Sequence, residues 1–143
     1  VSKFKDAVNV FSQGAMQSAK ISKYVENKTI GIIGKINRVT YLQTAYRNVI
    51  NERGDDENMQ KQTQNLNAWY ESAASYFANS KSFEKASVPA KQISDLVKAN
   101  LDDSKNGYNM NDIQKIVDRF AKVKQASGEI FKIIDLAIEE SAK

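Results

Sequence analysis

Apolar side chains recur at spacings of three and four along almost the whole chain, the signature of amphipathic helices. Phe4, Ala7, Val8, Phe11, Ala15 and Ala19 share one face of a helix expected over about residues 2–25. Glu26, Asn27 and Lys28 then interrupt the pattern, and Thr29 is placed to cap a second helix running to about residue 53. Ile32, Ile33, Ile36, Val39, Ala45, Tyr46, Val49 and Ile50 form its apolar stripe, which is too long and too free of turn signals to be a strand. Gly54 stops this block as a cap residue.

Asp55, Asp56 and Glu57 suit the positive end of a third helix. Its inward face is Met59, Thr63, Leu66, Trp69, Tyr70, Ala73 and Phe77, which places Trp69 in the core and ends the helix near residue 79. Residues 80–88 read as a loop closed by Pro89, a residue tolerated in the first turn of a helix, with Ser87 as its cap. Ile93, Leu96, Val97 and Leu101 mark a shorter fourth helix. Asn106-Gly107 breaks the chain again, and Asn109 or Asn111 opens a fifth helix about 45 Å long. Ile113, Ile116, Val117, Phe120, Val123, Ile130, Ile134, Ala137 and Ile138 line it, with Gly128 permitting a bend. Such helices cannot bury their apolar faces separately. The expectation is an all-α protein, one domain over residues 1–143, folded as an antiparallel helical bundle of four long helices plus one shorter helix.

Composition narrows the chemistry. The 143 residues include no His and no Cys, which excludes His-based triads, thiol nucleophiles, disulfides, zinc sites built from Cys and His, and haem ligation by His or Cys. No enzyme, metal or cofactor is expected. Absence of Cys also fits an exported domain, where a stray thiol is a liability. An exported bacterial domain is expected (periplasmic, cell-surface or secreted), with the cytoplasm as the alternative, and the richness in Asn, Lys, Ser and Ile is that of an AT-rich genome.

Two motifs are better read as structure than as sites. Asp102, Ser104 and Asn106 followed by Gly107 imitate the front of a calcium loop, but its twelfth position is Ile113 instead of a bidentate Glu, so an interhelical turn is expected. Gly31-Ile32-Ile33-Gly34 has the spacing of an RNA-clamping loop without the sheet that accompanies one, and two small residues that let helices approach closely explain it better. Neighbouring carboxylates at 55–56, 102–103 and 139–140 point about 100° apart on a helix and do not converge on a substrate.

Net charge is +4 but unevenly spread: residues 1–53 hold nine basic and three acidic side chains. Lys20, Lys23, Lys28, Lys35 and Arg38 surround the first interhelical turn, forming a patch suited to an anionic partner or membrane surface. A second basic stripe, Lys115, Arg119 and Lys122, is partly balanced by an expected Asp118–Lys122 pair. Tyr24, Tyr41, Tyr76 and Tyr108 sit off or at the margin of their apolar stripes, where tyrosine serves interfaces well. With the five basic residues they make up the candidate binding surface. The sequence therefore points to a non-enzymatic interaction module that binds another macromolecule, a protein rather than nucleic acid, through a helix face. Two alternatives are a membrane-active amphipathic protein on anionic lipid and a carrier holding a small apolar ligand inside the bundle.

Overall fold

The computed structural model describes residues 2–142 and is built entirely from helices joined by short turns. Helix α1 spans Ser2–Ile50, α2 Glu57–Tyr76, α3 Lys81–Glu84, α4 Ser87–Ser104 and α5 Met110–Ser141. The all-α bundle expected from the periodicity is observed.

The principal departure is α1. A break was expected at residues 26–29, yet one helix of 49 residues runs through them, about 73 Å long. Glu and Lys are good helix formers, and no Gly or Pro stands there to stop propagation. Thr29 does not cap; its hydroxyl donates to the Val25 carbonyl at 2.8 Å, one turn back along the same helix. Asn27 faces the bundle and is buried.

From about residue 24 onward α1 packs into the bundle, and the antiparallel order follows from the paired residues. Gly34 lies against Trp69 and Asn48 bonds to Asp56, so α2 returns alongside α1. Gly31 meets Ile134 and Ile138, and the Tyr46 and Phe120 rings pack at a tilt of 59° with centres 4.4 Å apart, so α5 also runs opposite to α1. Asn100 Nδ2 donates to the Ile116 carbonyl at 3.1 Å, tying α4 to α5 as a second hairpin. Around this frame Tyr41, Ala45, Met59, Leu66, Trp69, Ala73, Phe77, Ile93, Val97, Ile130 and Ile134 form one buried cluster. The contacts close three sides of the bundle, while α2 and α4 scarcely touch.

The turns are fixed by polar side chains. Asp56 is the N-cap of α2, accepting from Met59 N–H and from Asn48 Nδ2, each at 2.9 Å. Asn48 also donates to the Gly54 carbonyl, and Gly54 and Glu52 both adopt left-handed backbone. The stretch expected to be a loop contains the single turn α3, capped by Ser80. The Glu140 carboxylate accepts from the Ser80 hydroxyl and from the Ser82 N–H and hydroxyl, fastening α3 to the end of α5. Ser87 does not cap α4: Ala86 holds that position with no side-chain cap bond. Asn109 and Asp112 form a reciprocal capping box at the start of α5, which runs through Gly128 without interruption. Asp118 accepts from Gln114 Nε2 instead of pairing with Lys122.

Candidate functional site: the outward face of α1

Which side of α1 faces the bundle is the central observation. The inward positions are Asn27, Gly31, Gly34, Arg38, Tyr41, Ala45, Asn48 and Val49. Ile32, Ile33, Ile36 and Val39, expected to be the buried stripe, are exposed; Ile36 is 57% accessible whereas Arg38 is 3%. Packing geometry explains the inversion. A Cβ on Gly34 would sit 2.2 Å from Trp69 Cζ2, and one on Gly31 would sit 2.7 Å from Ile138 Cδ1, so the inward face needs small residues for close approach. The glycine pair is thus a packing device, in the middle of α1.

Further toward the N-terminus every described side chain from Lys3 to Lys23 is exposed, including Phe4 at 77% and Phe11 at 79%. Exposed residues of the arm and of the packed half recur along a seam that winds about 20° per heptad around a straight helix: Phe4, Val8, Phe11, Ala15, Ser18, Ser22, Val25, Thr29, Ile32, Ile36 and Val39. Their spacing alternates four and three without a slip, a repeat of seven sustained over about five heptads. The line is apolar at both ends and narrows to Ala15, Ser18 and Ser22 between them. An isolated helix in water has no use for such a seam, and exposed apolar patches of this extent mark interaction sites. Beside it stand Lys5, Lys28 and Lys35 against Glu26 alone. Lys35 also reaches across to Asp135 at 2.6 Å.

The candidate residues from the sequence are therefore dispersed. Lys28 and Lys35 flank the seam, and Lys20 is exposed on the opposite side of the arm. Lys23 and Tyr76 line a polar cleft of about 480 Å³ at the neck where α1 leaves the bundle, together with Asn27 and Ser141. Tyr24 is half-buried against the core, with Lys28 Nζ 6.0 Å from its ring centre. Tyr108 lines an apolar cleft of about 260 Å³ with Ile50, Ile113, Val117 and Phe120. That cleft lies between the end of α1 and the start of α5 and is a surface feature, whereas the bundle interior is filled by side chains such as Phe77, Met59 and Ile93.

Arg38 and Tyr41 are corrected from surface to interior. Both are buried, and the guanidinium lies between two rings, 5.7 Å from the centre of Tyr41 and 6.0 Å from that of Tyr70. One Nη donates to Tyr70 Oη at 3.0 Å, while Nε is buried without a partner. Burial pushes the Tyr41 hydroxyl up to about 12, against the opposing pull of Arg38 and with a smaller push from Asp55. Both side chains floor a cleft of about 230 Å³ between α2 and α4.

The calcium-like turn holds no converging ligand set. Ser104 donates to the Asn100 carbonyl inside α4, Asp103 pairs with Arg119, and Gly107 turns the chain at φ +87°. Among the described residues no group of three or more acidic side chains is placed to hold a metal ion, and no helix is long and apolar enough to cross a membrane. In comparisons with known proteins, no family model, curated protein or solved structure matches the chain. The class is accordingly defined by architecture alone, an all-α bundle with one extended helix.

Proposed function

We propose that this protein is a non-enzymatic interaction module in which the bundle holds α1 rigidly and the outward seam of α1 pairs with an amphipathic helix of another protein. The observation that carries this reading is the inverted face: α1 turns Arg38, Asn27 and Asn48 inward and leaves Phe4, Phe11, Ile32, Ile36 and Val39 in water. A seven-residue apolar repeat is what a helix needs to engage a partner helix knobs-into-holes. The mostly basic flanks favour a partner whose flanking positions are acidic. Burying large apolar side chains contributes about 1.5–3 kcal/mol each when complete.

The test places a photo-reactive residue at Ile36 and, as a control, at exposed Lys98 on α4, in the producing cell. The expected result is a cross-link from position 36, and not from 98, to a heptad-patterned segment of a different protein. Cross-links to lipid, to a second copy of this chain, or at both positions equally would overturn the assignment. With the photo-reactive residue kept at position 36, substituting Phe11 and Ile32 by Asp should abolish the cross-linked product without lowering the Tm, because both side chains are exposed.

A further inference from the structure

Arg38 has the properties of a ligand-binding group more than of a structural one. It is 97% removed from solvent, yet among the described residues no carboxylate is paired with it. A guanidinium carries five donors, and here one Nη bonds to a neutral phenol while Nε is buried without a partner. The two tyrosine rings stabilise the cation through their faces but accept no hydrogen bonds there. Burying an unpaired charge costs several kcal/mol, so a position kept this way for stability alone would be better filled by an apolar side chain.

Nε itself is closed off from solvent, so a guest in the adjoining cleft would reach the guanidinium along its Nη edge. Because α2 and α4 scarcely touch, a cleft opens between them with Arg38 and Tyr41 as its floor. Asn67 and Tyr70 on α2 and Lys91 and Ser94 on α4 form the walls. Asn67, Lys91 and Ser94 are exposed and can donate to a guest, and the Tyr70 hydroxyl, which accepts from Arg38, keeps its own proton to donate. The acidic groups nearby are engaged or set apart. Asp95 bonds to Lys91 at 2.8 Å, Asp55 acts on Tyr41 only through its field, and Glu71 and Glu84 line the adjoining wider cleft.

We propose that the cleft between α2 and α4 binds a small oxyanion, a carboxylate or phosphate group, on the guanidinium of Arg38. Planar two-point recognition of such groups is what arginine does best. The site is separate from the α1 seam, on the opposite side of the same helix, and stands whether or not the seam binds a helix.

The experiment follows the Arg38 Nε–Hε signal in ¹⁵N spectra while inorganic phosphate, and separately acetate, is added at constant ionic strength. Saturable movement of that signal with either ion, and a Tm that rises with it, is expected. Phosphate alone acting identifies a phosphate site, and acetate alone a carboxylate site. Arg38→Met should weaken binding roughly ten- to a hundredfold, the worth of a hydrogen bond to a charged group. A second variant, Ser94→Glu, changes an exposed wall residue and supplies a tethered carboxylate. It should raise the Tm of the ion-free protein and abolish the response to added ion. No saturable movement with either ion, or equal stabilisation of wild type and Arg38→Met, would overturn the proposal.

Discussion

Replacing Gly34 by Ala tests the packing that turns α1 inside out. In an unencumbered helix the change stabilises by about 1 kcal/mol. At Gly34 the new methyl would lie 2.2, 2.3 and 2.8 Å from three atoms of the Trp69 indole, against an ordinary carbon contact of about 3.5–4.0 Å. The ring must retreat by more than 1 Å, and it is held by the core and by its Nε1–H bond to the Ile30 carbonyl at 2.8 Å. Overpacking costs about 1–3 kcal/mol and the lost bond about 1 kcal/mol more. The net expectation is destabilisation by about 2 kcal/mol. Gly128→Ala is the control, because nothing lies within 4 Å of its new methyl; it should stabilise by up to about 1 kcal/mol. Gly31→Ala should fall between them, since its clashes are with the ends of Ile134 and Ile138, which can rotate. Urea unfolding followed by circular dichroism and by the single tryptophan reads both effects, with midpoints shifting at constant slope. If Gly34→Ala is as stable as wild type or more so, Trp69 does not press on α1 and the inverted face lacks its stated cause.

Asp56 caps α2, and the Met59 N–H and the Asn48 amide hold its carboxyl below the usual carboxylate range. Its stabilisation is therefore present at neutral pH and is lost as pH falls below about 4. Asp56→Ala should cost about 1 kcal/mol at pH 7, and the gap to wild type should narrow on acidification. Tyr41, pushed up to about 12, should appear in a titration at 295 nm as a tyrosinate forming well above pH 10, absent in Tyr41→Phe. The stability tied to its neutral form is intact below pH 10 and is lost as pH rises toward 12. Deleting residues 1–18 should remove helical signal in circular dichroism and leave the Tm within about 1 °C, because the described side chains there are all exposed; a larger drop would mean the arm packs on the bundle.

Much of this architecture is legible in the sequence because most apolar residues of α2, α4 and α5 face inward, although Val117, expected on the inner stripe of α5, is exposed. Trp69, Ile93, Ile130 and Ile134 lie where their spacing puts them. On α1 the rule holds for Ala45 and Val49 but fails for Ile32, Ile33, Ile36 and Val39. Its isoleucines look like a core stripe, and only the partner surfaces, Trp69 and Ile138, show that glycines were required there instead. Reading Glu26-Asn27-Lys28 as an interruption followed from the same assumption. Asn27 breaks an apolar pattern but not a helix, and it lies on the inward face, across α1 from that pattern. Charge and phenol usually seek water, so Arg38 and Tyr41 read as surface residues in the sequence. That an arginine lies buried between two rings depends on the gap between α2 and α4, a tertiary fact with no local signal.

The continuity of α1 has an energetic consequence for the arm. A free helix of about twenty residues must first form a nucleus, an event disfavoured by a factor of about 10³, or about 4 kcal/mol. Here the first turns are already wound inside the bundle, so each arm residue adds to an existing helix and meets only the small cost of propagation. The packed half of α1 thus serves as a permanent template from which the arm grows outward. Were a partner helix to dock on the proposed seam, it would meet a helix already ordered, and α1's share of the entropy surrendered when two helices coil together would be spent before they meet.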